Sequence, residues 1–161
     1  MYKRQRLTPS LDDDLPWEAL GECDGLFVTA ADAPLLRACR AAAVMAATPR
    51  VRLPVLQKAG VSIDALIGSG LDPGEMVHPD QLNPAPHTMI RTEGAAGGLS
   101  LPGGRYEPAP LPGPMIESYG CGDSFAAGVV TGLAAGWTLA NAIALGAQCG
   151  AACATRFGPY G

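Results

Sequence analysis

One hundred and sixty-one residues suffice for one sizeable globular core and are too few for two. Apolar residues make up 48% and charged residues 16%, which excludes a disordered acidic or basic tail, and the net charge of −4 leaves no electrostatic footprint for nucleic acid. Five cysteines, Cys23, Cys39, Cys121, Cys149 and Cys153, form no CxxC pair, and no apolar run follows the basic residues Lys3, Arg4 and Arg6, so a cytoplasmic protein with reduced thiols is expected.

The first 23 residues read as an irregular segment. Within it, Met1-Tyr2-Lys3-Arg4-Gln5 resembles translated sequencing-adaptor sequence and is expected to be non-native. Residues 25–29 then predict a short buried strand, and residues 34–47 an Ala-rich helix with Asp32 as N-cap and Thr48-Pro49 as its stop. Residues 51–56 are expected as the next strand and 57–60 as a turn. Residues 63–67 form another apolar run, and 71–76 open a short helix. Residues 87–92 predict a further strand, ending in the Gly-rich turn 93–98. Residues 99–101 and 105–107 then flank Pro102-Gly103-Gly104 as a hairpin. Pro108, Pro110, Pro112 and Pro114 make a stiff extended connection that cannot be a central strand.

Between Ser124 and Thr155 there is no charged side chain, and Gly128, Gly132 and Gly136 stand at GxxxG spacing, a pattern known from packed transmembrane helices. The stretch is built of Ala and Gly rather than Leu, Ile and Phe, contains Thr131, Thr138, Asn141 and Gln148, and lacks basic flanks on both sides. Two helices buried within one domain account for it, and no membrane partner is expected.

The chemistry concentrates where Glu117-Ser118-Tyr119-Gly120-Cys121-Gly122-Asp123-Ser124-Phe125 leads into a helix carrying Phe125, Val129 and Leu133 on one side. Glycines there free the backbone for a tight turn, so that successive N–H groups at the helix start can point at one anion. Asp123, in the first turn, would repel a bound phosphate unless it served as a general base for an attacking hydroxyl; as a simple N-cap it would be ordinary. A P-loop string is absent, and a dinucleotide fingerprint fails because Phe125 stands where its third Gly belongs. Cys121 as a nucleophile finds no evident base in His78 or His87. His78, Asp80 and His87 lack a metal-ligand spacing, and Ser124 lies in no GxSxG elbow.

Residues 120–128 resemble the second signature of the ribokinase-like (PfkB) carbohydrate kinases, D-T-x-G-A-G-D-x-F-x-x-G, with Glu117 for Asp, Ser118 for Thr and Cys121 for Ala. Thr92-Glu93-Gly94-Ala95-Ala96-Gly97 is similar to the family's T-x-G-x-x-G strand and turn, and Asp72-Pro73-Gly74-Glu75 to its N-x-x-E motif. The resemblance implies an α/β fold, a mostly parallel sheet flanked by helices, with residues 24–161 as the C-terminal half of a ribokinase-like kinase domain. It implies Asp123 as catalytic base and the backbone of Gly120, Cys121 and Gly122 as anion hole. Glu75 would position Mg²⁺, and Thr92, Gly94, Gly97, Asn141 and Ala142 would line the nucleotide. ATP and Mg²⁺ are the implied cofactors, with a monovalent cation beside the anion hole where the family's Asp is Glu117 here. The implied activity is ATP-dependent phosphorylation of a sugar or nucleoside-like alcohol by a full-length protein that forms homodimers, the present chain alone being expected to be inactive. A non-catalytic nucleotide-binding or regulatory module that keeps the anion cradle is the alternative.

Overall fold

A computed structural model describes residues 8–157, so the expectation for Met1 to Gln5 lies outside the described residues. A 3₁₀ turn at Trp17–Glu22 precedes β1 (Gly25–Val28), α1 (Ala33–Cys39), β2 (Val44–Ala47), α2 (Leu53–Ala59) and β3 (Ala65–Ser69). Then come β4 (Thr88–Thr92), the hairpin β5 (Gly98–Leu101) and β6 (Gly104–Tyr106), and two long helices, α3 (Cys121–Ala134) and α4 (Leu139–Cys153). The six strands lie in sequence order, β1 to β4 parallel and β5 and β6 antiparallel at one edge. The fold is therefore the expected α/β arrangement with a mostly parallel sheet flanked by helices.

Each parallel strand is buried on both faces and so carries apolar side chains at successive positions. Leu26, Met45, Leu66 and Met89 pack against Leu35 and Leu36 of α1 and Leu56 of α2. Their neighbours Phe27, Ala46, Ala65 and Ile90 pack on the opposite face against Phe125, Val129 and Val130 of α3. Helix α4 lies on α3, and the glycines permit the approach: a Cβ on Gly128 would sit 2.8 Å from the Gly146 Cα, and one on Gly132 2.8 Å from the Ala142 Cα. The stripe at Gly128 and Gly132 is thus a helix–helix contact inside the domain, whereas Gly136 lies past the end of α3 at φ 74°, with nothing within 4 Å of an added Cβ. Among the described residues no helix is long and apolar enough to cross a membrane.

Two expected elements differ. The helix expected over 34–47 ends at Cys39, and its second half contains β2. Arg40 bonds the Ala42 and Ala43 carbonyls at 2.6 and 3.1 Å and the Asp64 carboxylate at 2.6 Å, turning the chain into the sheet. Sheet pairing there outweighs the helix preference of alanine, and small residues such as Ala46 are what α3 needs beneath it. The strand expected over 51–56 is instead a 3₁₀ turn, Pro49–Val51, running into α2. Pro54 stands in the first turn of α2 and Gly60 closes it in the left-handed conformation at φ 60°, a start and stop pair for a helix.

Candidate functional site

The carboxyl ends of four parallel strands open onto one cleft of about 880 Å³, lined by Thr29 beyond β1, Thr48 beyond β2, Gly68 and Ser69 of β3, and Thr92 of β4. Ligands of open α/β sheets bind in such a crevice. The loop 118–123 and the start of α3 form its far wall. Gly120, the N-cap of α3, has φ 82°, a left-handed conformation that favours glycine and turns the chain sharply into the helix. The Cys121 N–H donates to the Ser118 carbonyl at 3.3 Å. The N–H groups of Gly122 and Asp123 have no acceptor among the described residues and stand at the positive end of a 14-residue helix. Of the three backbone positions expected to form the anion hole, Gly120 and Gly122 line this cleft, whereas the Cys121 N–H is already engaged and its side chain faces the neighbouring cleft.

Asp123 lies exposed on the same wall, and its carboxylate makes no hydrogen bond or ion pair among the described residues. Across the cleft, Glu75 is buried: its Oε1 accepts from Arg50 Nε at 2.6 Å and its Oε2 from the Ser69 N–H at 2.8 Å. The hydrogen bond that Arg50 donates to Glu75, and then the Glu75 charge, hold the guanidinium above its usual range, and Asp72 and Asp123 add to the effect. The turn Pro73–Glu75, capped by Asp72 accepting from the Gly74 N–H at 2.8 Å, sets the position of Glu75. Among the described residues no group of three or more acidic, His or Cys side chains could cage a metal ion. One fixed carboxylate facing a cleft does fit Mg²⁺, which keeps waters and takes its other ligands from phosphate oxygens. Arg50 and Arg52 also line the cleft, and Arg52 adopts φ 79°, a strained conformation outside glycine. The sequence singles out neither arginine: Arg52 falls within the strand expected over 51–56 and Arg50 just before it, and Pro54 as a helix start is the signal that marks the segment.

A second, apolar cleft of about 450 Å³ adjoins the first and shares Thr92, Ser118 and Gly122 with it. Gly94 and Gly97 of the β4–β5 turn border it. Tyr106 and Phe125 form its floor, their rings stacked at 5.9 Å and 19°. The Tyr106 hydroxyl donates to the Arg91 carbonyl at 3.2 Å, and burial pushes this phenol well above its ordinary range. The wall expected from Asn141 and Ala142 is formed instead by Ala147, Gly150, Ala151 and Ala154. Ala142 is fully buried against Gly132, and Asn141 donates its backbone N–H to the capping Thr138 hydroxyl at 3.3 Å, so both serve the first turn of α4. Ala147 lies six residues further on, about 9 Å along the axis. Burial, and then the neighbouring Cys153, push the Cys121 thiol up to about 11, and neither histidine lines either cleft, so among the described residues no His stands as a base to activate Cys121 for nucleophilic catalysis.

Comparison with known proteins agrees with this geometry. The model of the pfkB family carbohydrate kinases matches residues 78–161, more than half of the chain. Over 65 residues the chain is 43% identical to fructoselysine 6-kinase of Escherichia coli K12, an alignment that covers 40% of this chain and 25% of that protein. Among solved structures, adenosine kinase from Sinorhizobium meliloti superposes with a TM-score of 0.67 at 16% identity, covering 91% of this chain and 53% of that one. Ribokinase from Thermotoga maritima gives 0.65 at 16% identity, covering 91% and 55%. The chain spans about half the length of these solved structures and a smaller share of the curated relative. The family match takes in the signature at residues 117–128 and the turn at 92–97, and this chain belongs to the pfkB family of carbohydrate kinases.

Proposed function

We propose that this chain supplies the nucleotide-binding and phosphoryl-transfer part of an ATP-dependent kinase whose acceptor is the hydroxyl of a sugar or nucleoside-like molecule. The observation that carries the reading is the Asp123 carboxylate beside two backbone N–H groups, all without a partner among the described residues, where a polar and an apolar cleft meet. The apolar cleft, floored by the Tyr106 and Phe125 rings, suits a purine base, and the shared residues Thr92 and Gly122 lie on the way to the polar one. The Gly122 and Asp123 N–H groups donate to the transferring phosphoryl oxygens, fixed beforehand by the Gly120 turn. Asp123 accepts the proton of the attacking hydroxyl, and its negative charge deters any phosphate from settling too deep. Arg50 and Arg52 add positive charge on the opposite wall.

Glu75 is held by Arg50 and Ser69 so that it faces the cleft and can bind Mg²⁺ through water. The ion, when bound, offsets charge on the phosphate chain. A monovalent cation would sit by the backbone near Glu117, whose N–H is tied to the Ala154 carbonyl at 3.4 Å.

Asp123→Asn tests the assignment. In a full-length protein that includes the acceptor site, transfer of phosphate from ATP to sugar and nucleoside acceptors is expected to fall by roughly 10²–10⁴-fold, while ADP affinity measured by calorimetry stays nearly unchanged. Unchanged turnover refutes the base. ADP binding with no transfer to any acceptor, in a protein that includes a complete acceptor site, favours the non-catalytic module.

A further inference from the structure

The first residue of α3 and the last of α4 are both cysteines, and the packing of the two helices brings them to the same loop. Cys121 Sγ lies 3.9 Å from the Glu117 carbonyl, and Cys153 Sγ lies 3.5 Å from the Tyr119 carbonyl, reaching across 34 positions of sequence. Gly150, one turn before Cys153, is so near that a Cβ there would stand 3.2 Å from the Cys121 carbonyl oxygen. Both sulfurs thus reach carbonyls of the same short loop, two residues apart, and, burial apart, Cys153 is close enough to raise the Cys121 thiol further. Cys121 is half-buried and borders the apolar cleft, whereas Cys153 is buried behind it. A small reagent entering the cleft therefore meets Cys121 first, with a second thiol in position to resolve the product.

We propose that Cys121 and Cys153 form a reversible disulfide by exchange with a small-molecule disulfide of the oxidised-glutathione class, and that the bond displaces the anion-binding turn at the start of α3. The Cys121 thiolate attacks one sulfur of the small disulfide and expels one small thiolate, leaving a mixed disulfide. The Cys153 thiolate then attacks the Cys121 sulfur and expels the second small thiolate. The protein loses two electrons and two protons, which leave as two small thiols. Because the Cys121 thiol is held up to about 11, the reaction is slow near neutrality and quickens as pH rises.

The bond takes both sulfurs away from the carbonyls of Glu117 and Tyr119 that now hold the loop. A disulfide also fixes the Cβ separation near 3.8 Å, so the first residue of α3 follows the last residue of α4. The turn carrying the Gly122 and Asp123 N–H groups moves with it. Loss of phosphoryl transfer on oxidation rests on the function proposed for that turn.

The test equilibrates the whole 161-residue chain with mixtures of reduced and oxidised glutathione, blocks free thiols, and maps chymotryptic peptides by mass. The expected result is loss of two hydrogens in a link between Cys121 and Cys153, reversed by dithiothreitol. Amide exchange at residues 120–124 should also quicken by roughly tenfold or more in the oxidised form. Recovery of Cys121 as a glutathione adduct, or linked to Cys149, overturns the pairing; a correct link with unchanged exchange overturns the displacement. Cys153→Ser and Cys153→Ala should each abolish the link and the exchange response, and either variant retaining them overturns the proposal. ADP binding by the reduced chain is measured alongside. Its absence counts against the kinase reading and leaves the disulfide result standing.

Discussion

Glu75 and Asp123 face the same cleft in opposite states. Glu75 is buried with both oxygens bonded, and Asp123 is exposed with neither bonded among the described residues. The Arg50 side chain of the Glu75 ion pair is 60% exposed, so the pair itself is worth at most about 1 kcal/mol. The Ser69 N–H is part-buried at the cleft, and leaving it without a protein acceptor costs up to about 1–3 kcal/mol. Glu75→Ala is therefore expected to lower the urea midpoint more than Arg50→Ala, with Glu75→Gln, which keeps an acceptor, in between. A larger loss in Arg50→Ala would show that charge, and not the backbone bond, holds the turn Pro73–Glu75. The placement of Asp123, Gly120, Gly122, Thr92 and Glu75 on the clefts was legible because each belongs to a short, local pattern. Arg50, Arg52 and the Ala147 to Ala154 wall were not, since only packing between distant segments brings them to the site.

At the level of elements, contact between α3 and α4 sets where the Gly120 turn ends up. Adding a methyl at Gly128 places it 2.8 Å from the Gly146 Cα and 2.9 Å from the Gly146 nitrogen, backbone that cannot swing aside. Alanine gains up to about 1 kcal/mol of helix preference over glycine, and overpacking against a rigid neighbour costs about 1–3 kcal/mol. Gly128→Ala is accordingly expected to lower the melting temperature, whereas Gly21→Ala, with nothing within 4 Å of the added carbon, leaves it unchanged or slightly higher. Equal behaviour of the two would mean that the helices separate at little cost. The uncharged stretch announced these helices in sequence. The break after Cys39 did not announce itself, because the alanines of β2 look helical until the sheet and α3 are both in place around Ala46. The 3₁₀ turn and α2 were misread for a related reason: Val51 and Leu53 to Leu56 are apolar enough for a strand, and only Pro54 and Gly60 mark a helix.

Across the whole molecule, one carboxylate gathers segments from the end of the sheet opposite the clefts. Asp64 accepts from Arg40 at 2.6 Å, just after α1, and from the Met45 N–H of β2 at 2.7 Å, and it lies 3.2 Å from His87 Nδ1 before β4. Burial alone would push its carboxyl up, but the hydrogen bonds from Met45 and Arg40, with the charges of Arg40 and His87, outweigh it and hold the group below its ordinary 3.8. A carboxyl depressed in the folded chain adds stability that is fully present above the unfolded value and disappears as pH falls through the folded one. Stability measured by urea unfolding should thus be flat in this respect down to about pH 5 and fall below about pH 4. Asp64→Asn removes the titrating group while keeping an acceptor for the Met45 N–H. Its stability at neutral pH should be lower than that of the unaltered chain, and the two curves should converge in acid. Parallel curves across the range would place the acid sensitivity in other carboxylates and make Asp64 a hydrogen-bond acceptor without electrostatic consequence. Because Asp64 lies at the opposite end of the strands from Asp123, the variant should leave ADP affinity at neutral pH unchanged, separating the stability of the sheet from the chemistry at its carboxyl end.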